Sequence, residues 1–154
     1  MTGGTVQSDL ATLFPTIVRR PAGAGAGESF LAYALDQHAL VSVADADRKI
    51  VYVNDLFAQI SGYAKEELIG QTHNILRSEE HPQAFYQELW STITSGKTWS
   101  GEVKHIRKTG EPYWVKATVV PFFSPNGRPE KFLSIHTDIT DIKLAEAQLQ
   151  RQMS

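Results

Sequence analysis

The 154-residue chain contains no cysteine, which excludes disulfides, thiolate metal sites and any reaction that needs a thiol nucleophile. It has no apolar run near the ~20 residues of a membrane-spanning helix. Its start, MTGGTVQSDLATLFP, lacks the basic and apolar regions of a secretory signal. Charge of one sign is not in excess either: 15 Lys and Arg stand against 17 Asp and Glu, a formal net charge of −2, so there is no electrostatic footprint for nucleic acid. Glycine-rich phosphate loops, nucleophile-base-acid triads and paired catalytic carboxylates are missing as well. The expectation is a soluble, cytoplasmic segment that is not an enzyme and has no nucleic-acid or membrane contact of its own.

What is present is a chain with 42% apolar residues, long enough for one domain with a real core. The run PAGAGAGE (Pro21–Glu28) reads as a flexible linker. Residues 1–28 are therefore expected to be a flexible N-terminal segment carrying at most a short helix at DLATLF. Residues 29–141 form the folded domain, and residues 142–154 start a C-terminal helix. FLAYALDQH (Phe30–His38) has helical periodicity, and ALVSVADADRKIVYVN reads as a hairpin turning at DADR. Asn54 is a good N-cap for DLFAQIS, Gly62 a good stop, and AKEEL adds another short helix. Pro82 suits a first helical position, and Phe85, Leu89 and Ile93 give the next helix one apolar stripe.

Three strand-like runs follow, near Thr98–Lys108, Glu111–Phe123 and Lys131–Asp138. Two strands, short helices and three strands predict an α+β fold: a five-stranded antiparallel sheet with short helices over one face and flanking helices at both ends. Side chains alternate across a strand, so Trp99, Gly101, Val103 and His105 share a face. Tyr113, Val115, Ala117 and Val119, and then Phe132, Ser134 and His136, are the corresponding sets in the next two strands. These are assigned to the inner face. The outer face, with Ile106, Trp114, Val120, Leu133 and Ile135, is too apolar to leave in water. The Phe30–His38 helix and a second copy of the chain are the expected covers, giving a homodimer.

KIVYVN, DLFAQISGY and AKEELIG, with KTGEPYW and FLSIHTDIT, resemble the PAS family of sensory domains over about residues 30–142. GQTHNILR, FYQELW and GKTWSGEVK resemble most closely the flavin-binding members found in aerotaxis receptors and nitrogen-fixation regulators. The resemblance implies that FAD is held by Arg77, Glu80 and Trp99, which stand at the flavin-contact positions of those domains. In the related LOV photoreceptors the reactive cysteine falls at His73, asparagines fall at His105 and Val115, and a glutamine near the flavin N5 falls at His136. Without the cysteine no cysteinyl-flavin bond can form, so the informative change is redox.

The residues themselves leave the roles less narrow. Trp99 can stack on a ring or serve as core, and Arg77 can fork onto a phosphate or stay solvated. His105 and His136 can each donate or accept beside the ring. His73 packs or caps at the pocket wall, while Asn74 hydrogen-bonds a cofactor or closes a turn. Glu79 reads as solvated. FMN and heme b are the alternative cofactors, heme through His81 at the start of the helix that follows. His73, Glu80 and His81 lack the spacing and the fourth ligand of a zinc site. A third possibility is a domain with no cofactor that only dimerises and relays. The terminal DIKLAEAQLQRQMS, apolar at Ile142, Ala145 and Leu149, approximates a coiled-coil stripe. It would lead to a covalently linked output domain such as a histidine kinase, chemoreceptor or cyclase.

Overall fold

Asp45 turns the chain at the first hairpin: its Oδ1 accepts the N–H groups of Asp47 (2.9 Å) and Lys49 (3.0 Å), as aspartates at tight turns do. The computed structural model describes residues 34, 35 and 37–153, and this turn joins its first two strands, β1 (Leu40–Asp45) and β2 (Ile50–Val53). The short helix expected at DLATLF lies outside the described residues, as does most of the one expected over Phe30–His38. Of the latter, Ala34, Leu35, Gln37 and His38 are helical.

Asn54 caps helix α1 (Asp55–Ser61), and Gly62 ends it at φ 80°, a left-handed conformation that glycine adopts without strain. The cap does more than start a helix. Its Oδ1 accepts the N–H groups of Phe57 (3.0 Å) and Val41 (3.1 Å), and its Nδ2 donates to the carbonyl of Ala39 (2.8 Å). One buried amide thus ties α1 to β1. Helix α2 (Lys65–Leu68), a 3-10 turn (His73–Leu76) and helix α3 (Gln83–Thr94) complete the middle of the chain. Pro82 takes the cap position rather than the first helical one; its ring has no N–H to leave unpaired there.

Strands β3 (Trp99–Ile106), β4 (Pro112–Phe123) and β5 (Pro129–Asp138) return as a meander. The sheet order is β2-β1-β5-β4-β3, antiparallel throughout. The chain therefore crosses from β2, at one edge, to β3, at the other, and the short helices occupy that crossing on one face. The inner faces follow strict alternation. Trp99, Val103, Tyr113, Val115, Ala117, Val119 and Phe132 are buried in one core with Leu40 and Ala44 of β1, Phe57, Leu68, Leu76 and Ile93.

On the outer face Val41, Val43, Tyr52 and Leu133 make a second, smaller cluster. Leu133, expected to be covered by the Phe30–His38 helix, a second copy or both, is buried at 5% exposure within the chain itself, with Ala39 in the same cluster and Leu35 packed against it. Terminal helix α4 (Thr140–Met153) leaves from the neighbouring part of this face. Asp138 Oδ1 accepts both the N–H (3.0 Å) and the hydroxyl (2.6 Å) of Thr140. Trp114 donates its N–H to Thr140 Oγ1 (3.0 Å) and accepts the N–H of Ile139 (2.8 Å). Lys143 places its ammonium 4.6 Å from the Trp114 ring centre and 2.9 Å from Glu102. The DIT run is thus a joint that fixes the first turn of α4 to β4, and beyond it Ile142, Leu144, Leu149 and Met153 stay exposed.

Candidate functional site

Between the inner sheet face and α3 lies a cavity of about 230 Å³. Its floor is Val103, His105, Ala117, Val119, Phe132, Ser134 and His136, the alternate residues of three adjacent strands. One wall is Trp99, whose indole lies over Gly101 two residues along the same strand. A Cβ on Gly101 would come within 2.7 Å of the ring, so the bare glycine is what lets the indole lie flat on the strand. Two contacts from α3 fix it there. The Trp99 Nε1–H donates to Glu88 Oε2 (2.9 Å), and Phe85 meets the indole edge-on with ring centres 5.5 Å apart.

The deep end is a group of histidines. His105 and His136 are buried, their ring centres 5.6 Å apart, and His136 also lies 6.0 Å from Phe57. His73, half-buried on the 3-10 turn, lies 6.2 Å from Phe57 on the other side, and its Nε2 is 3.0 Å from Ser42 Oγ. Burial disfavours the imidazolium form of all three, and at His105 and His136 the neighbouring histidines add to it. His73 is pushed down to about 4 and His105 to about 3, and His136 falls well below its ordinary value. All three are neutral near pH 7, each with one ring nitrogen to donate and one to accept. The Nδ1 atoms of His105 and His136 are buried and have no hydrogen-bond partner. Buried polar atoms without a partner are costly and rare. The Tyr113 hydroxyl is a third orphan, but it does not line the cavity.

The other residues singled out from the sequence are placed differently. Asn74 lines the cavity and is exposed. Arg77 and Glu80 are not in its wall. The segment carrying them is drawn along the free edge of β3: Arg77 forms a backbone bridge with His105, and Glu80 pairs with Lys104 at 3.4 Å. The Arg77 guanidinium stacks 4.1 Å over Tyr86, whose ring does line the cavity. His81 Nε2 accepts the N–H of Lys104 (2.9 Å) while its ring stacks on Phe85 at 4.2 Å. That nitrogen is occupied on the edge strand. Among the described residues no group of three or more potential ligands could hold a metal.

The chain matches the PAS fold family over residues 35–139. It belongs to the PAS family. The PAS domain is 41% identical over 110 residues to the aerotaxis receptor of Escherichia coli K12, covering 71% of this chain and 22% of that protein. It is 31% identical over 114 residues to the nitrogen fixation regulatory protein of Klebsiella oxytoca, covering 74% and 23%. Among solved structures, the PAS domain of a Colwellia psychrerythraea protein superposes with a TM-score of 0.64 at 29% identity, covering 73% of this chain and 96% of that one. The chain spans less than a quarter of the length of those curated relatives.

Several residues of this PAS domain escape a reading of the sequence: Trp90 and Arg48 in the cavity wall, and Ser42 and Glu88, which hold the wall residues His73 and Trp99. Ser42 carried a usable signal, since it is a lone hydroxyl within the apolar run LVSVA of β1. Glu88, Trp90 and Arg48 carried none: on α3 or in a turn, each reads as an ordinary surface or stripe residue. The residues present fit a planar, partly polar ring. Apolar walls and an indole offer contact to its faces, and the neutral imidazoles of His105 and His136 place polar groups in the floor. The cavity is smaller than the ~300–1,000 Å³ of pockets that enclose whole drug-sized ligands. No helix among the described residues is long and apolar enough to cross a membrane.

Proposed function

We propose that this PAS domain binds FAD without a covalent bond and senses redox state or oxygen in the cytoplasm, passing the state through α4 to an output domain. The observation that carries this reading is the pair of buried, neutral imidazoles, His105 and His136, in the floor of a mostly apolar cavity walled by Trp99. When bound, a flavin supplies reversible uptake of electrons and a proton at its ring nitrogens. His136 is suited to register that change: as a neutral imidazole it can turn donor into acceptor by exchanging tautomer or rotating. It sits two residues before Asp138, which holds the start of α4. Trp99 supplies the stacking or edge contact, His73 and Asn74 the remaining wall, and Arg77 and Glu80 shape the approach from the β3 edge. The aerotaxis receptor and the nitrogen fixation regulators, each several times longer than the matched segment, support a sensor joined to an output. A second copy packed along the exposed Ile142 and Leu149 of α4 completes a homodimer.

Denaturing the purified protein and identifying the released chromophore tests the reading. Free FAD, or FAD taken up on supplementation, is expected, and Trp99→Ala should lose most of it. Heme, or a protein that stays colourless with FMN and FAD in excess, sinks it.

A further inference from the structure

Arg48 stands at the cavity mouth in the turn between β1 and β2, with φ 70°, the one non-glycine residue among those described with a positive φ. That conformation costs an L-residue roughly 1–2 kcal/mol and suits glycine, asparagine or aspartate. The backbone of the turn gives no reason for an arginine, so the reason lies with the side chain. Its guanidinium carbon lies 4.0 Å from the ring centre of Trp90, which in turn meets Phe132 edge-on at 5.7 Å. Arg48, Trp90 and Phe132 all line the cavity. Asp47 lines it too but does not pair with Arg48, and no carboxylate does among the described residues. With one face of the guanidinium against the indole, the in-plane N–H edge remains for a ligand, and that edge matches two oxygens of a phosphate.

The cavity of about 230 Å³ takes a ring and leaves any phosphorylated tail to exit past this mouth. Arg77, which family resemblance puts at a flavin-contact position, instead lies over Tyr86 and outside the wall. We infer that Arg48, held by Trp90, binds the phosphate of a flavin nucleotide at the cavity mouth and so selects FMN and FAD over riboflavin. This rests on the flavin reading of the same cavity.

The test is equilibrium binding of riboflavin, FMN and FAD, by flavin fluorescence, to the full 154-residue chain and to Arg48→Gly, Arg48→Lys and Arg77→Ala. Glycine accepts the φ of this turn, so Arg48→Gly removes the side chain without straining the backbone. Arg48→Gly is expected to weaken FMN and FAD about 10- to 100-fold while riboflavin changes less than about twofold. Its residual nucleotide binding should lose most of its salt dependence. Arg48→Lys, which keeps the charge but not the fork, should fall between. Equal weakening of all three flavins by Arg48→Gly would make the residue a lid and overturn the inference, as would a phosphate-selective loss confined to Arg77→Ala. If the wild-type chain binds riboflavin and the nucleotides but Arg48→Gly binds all three unchanged, the inference falls alone. If the wild type binds none of them, the flavin reading falls and takes this inference with it.

Discussion

His105 on β3 and His136 on β5 bring their imidazole rings within 5.6 Å across the intervening strand, both buried and each with an unpartnered Nδ1. Neither position implies the other in the sequence. Together they make a neutral, hydrogen-bond-capable patch at the bottom of the cavity.

That patch makes the flavin-free protein acid-sensitive. His73 is held at about 4 and His105 at about 3, with His136 also well below its ordinary value, whereas in the unfolded chain each titrates near ~6.5. Below ~6.5 the unfolded state therefore binds more protons, and stability falls with pH by roughly 1.4 kcal/mol per unit for each such histidine. Urea midpoints at a series of pH values from neutral to mildly acid should show this loss. His105→Asn should flatten the slope, and a slope identical to wild type would remove His105 from the effect.

Replacing His136 with alanine is expected to leave flavin largely bound but to uncouple its reduction from α4. The route would run from His136 along β5 to Asp138, whose carboxylate holds Thr140 by two hydrogen bonds. Hydrogen exchange of Ile139–Leu149, oxidised against reduced, reads it in both proteins. A redox-dependent difference that persists unchanged in the variant would pass the role to His105.

Gly101→Ala should displace the Trp99 indole, because the new methyl would lie 2.7 Å from the ring. Overpacking of this kind costs about 1–3 kcal/mol, and the cavity wall should loosen with it. Thermal melts and tryptophan fluorescence check both effects. A companion change, Trp99→Phe, should relieve the clash, so that the double variant is more stable than the sum of the single changes implies.

Asn54→Ala removes a cap and a cross-link in one step. The N–H groups of Val41 and Phe57 and the carbonyl of Ala39 all lose a partner in a buried setting. A cost of about 3 kcal/mol is expected, the cap loss plus the buried unpaired groups, read as a shift in the denaturation midpoint. A cost below that of an ordinary exposed cap would show that water replaces the amide.

Leu149→Asp should convert a dimer to a monomer at micromolar concentration without moving the melting of the domain by more than about 0.5 kcal/mol. The side chain is 57% exposed and contributes to no core cluster. Light scattering on the whole chain decides it, and a wild-type protein that is already monomeric would end the dimer proposal.

Alternation along β3, β4 and β5 was enough to sort Trp99, His105, Ser134 and His136 onto the inner face, because the pleat leaves no choice once the strands are placed. The caps at Asn54 and Gly62 were equally legible, being local matters of one side chain or one φ value. Alternation is blind to contacts that span the fold. Glu88 reaches Trp99 from another element, and Arg48 meets Trp90 across more than forty residues of chain. The path of Arg77–His81 was decided by the free edge of β3, whose unpaired backbone groups attracted a bridge at His105 and the imidazole of His81 at Lys104. Arg77 lies over Tyr86, and Arg48, in the β1–β2 turn, lines the cavity. Sequence determined which faces exist, since side-chain direction is a property of the local backbone. Tertiary structure decided which charges meet the cavity, because that depends on where an edge strand and a loop satisfy their hydrogen bonds.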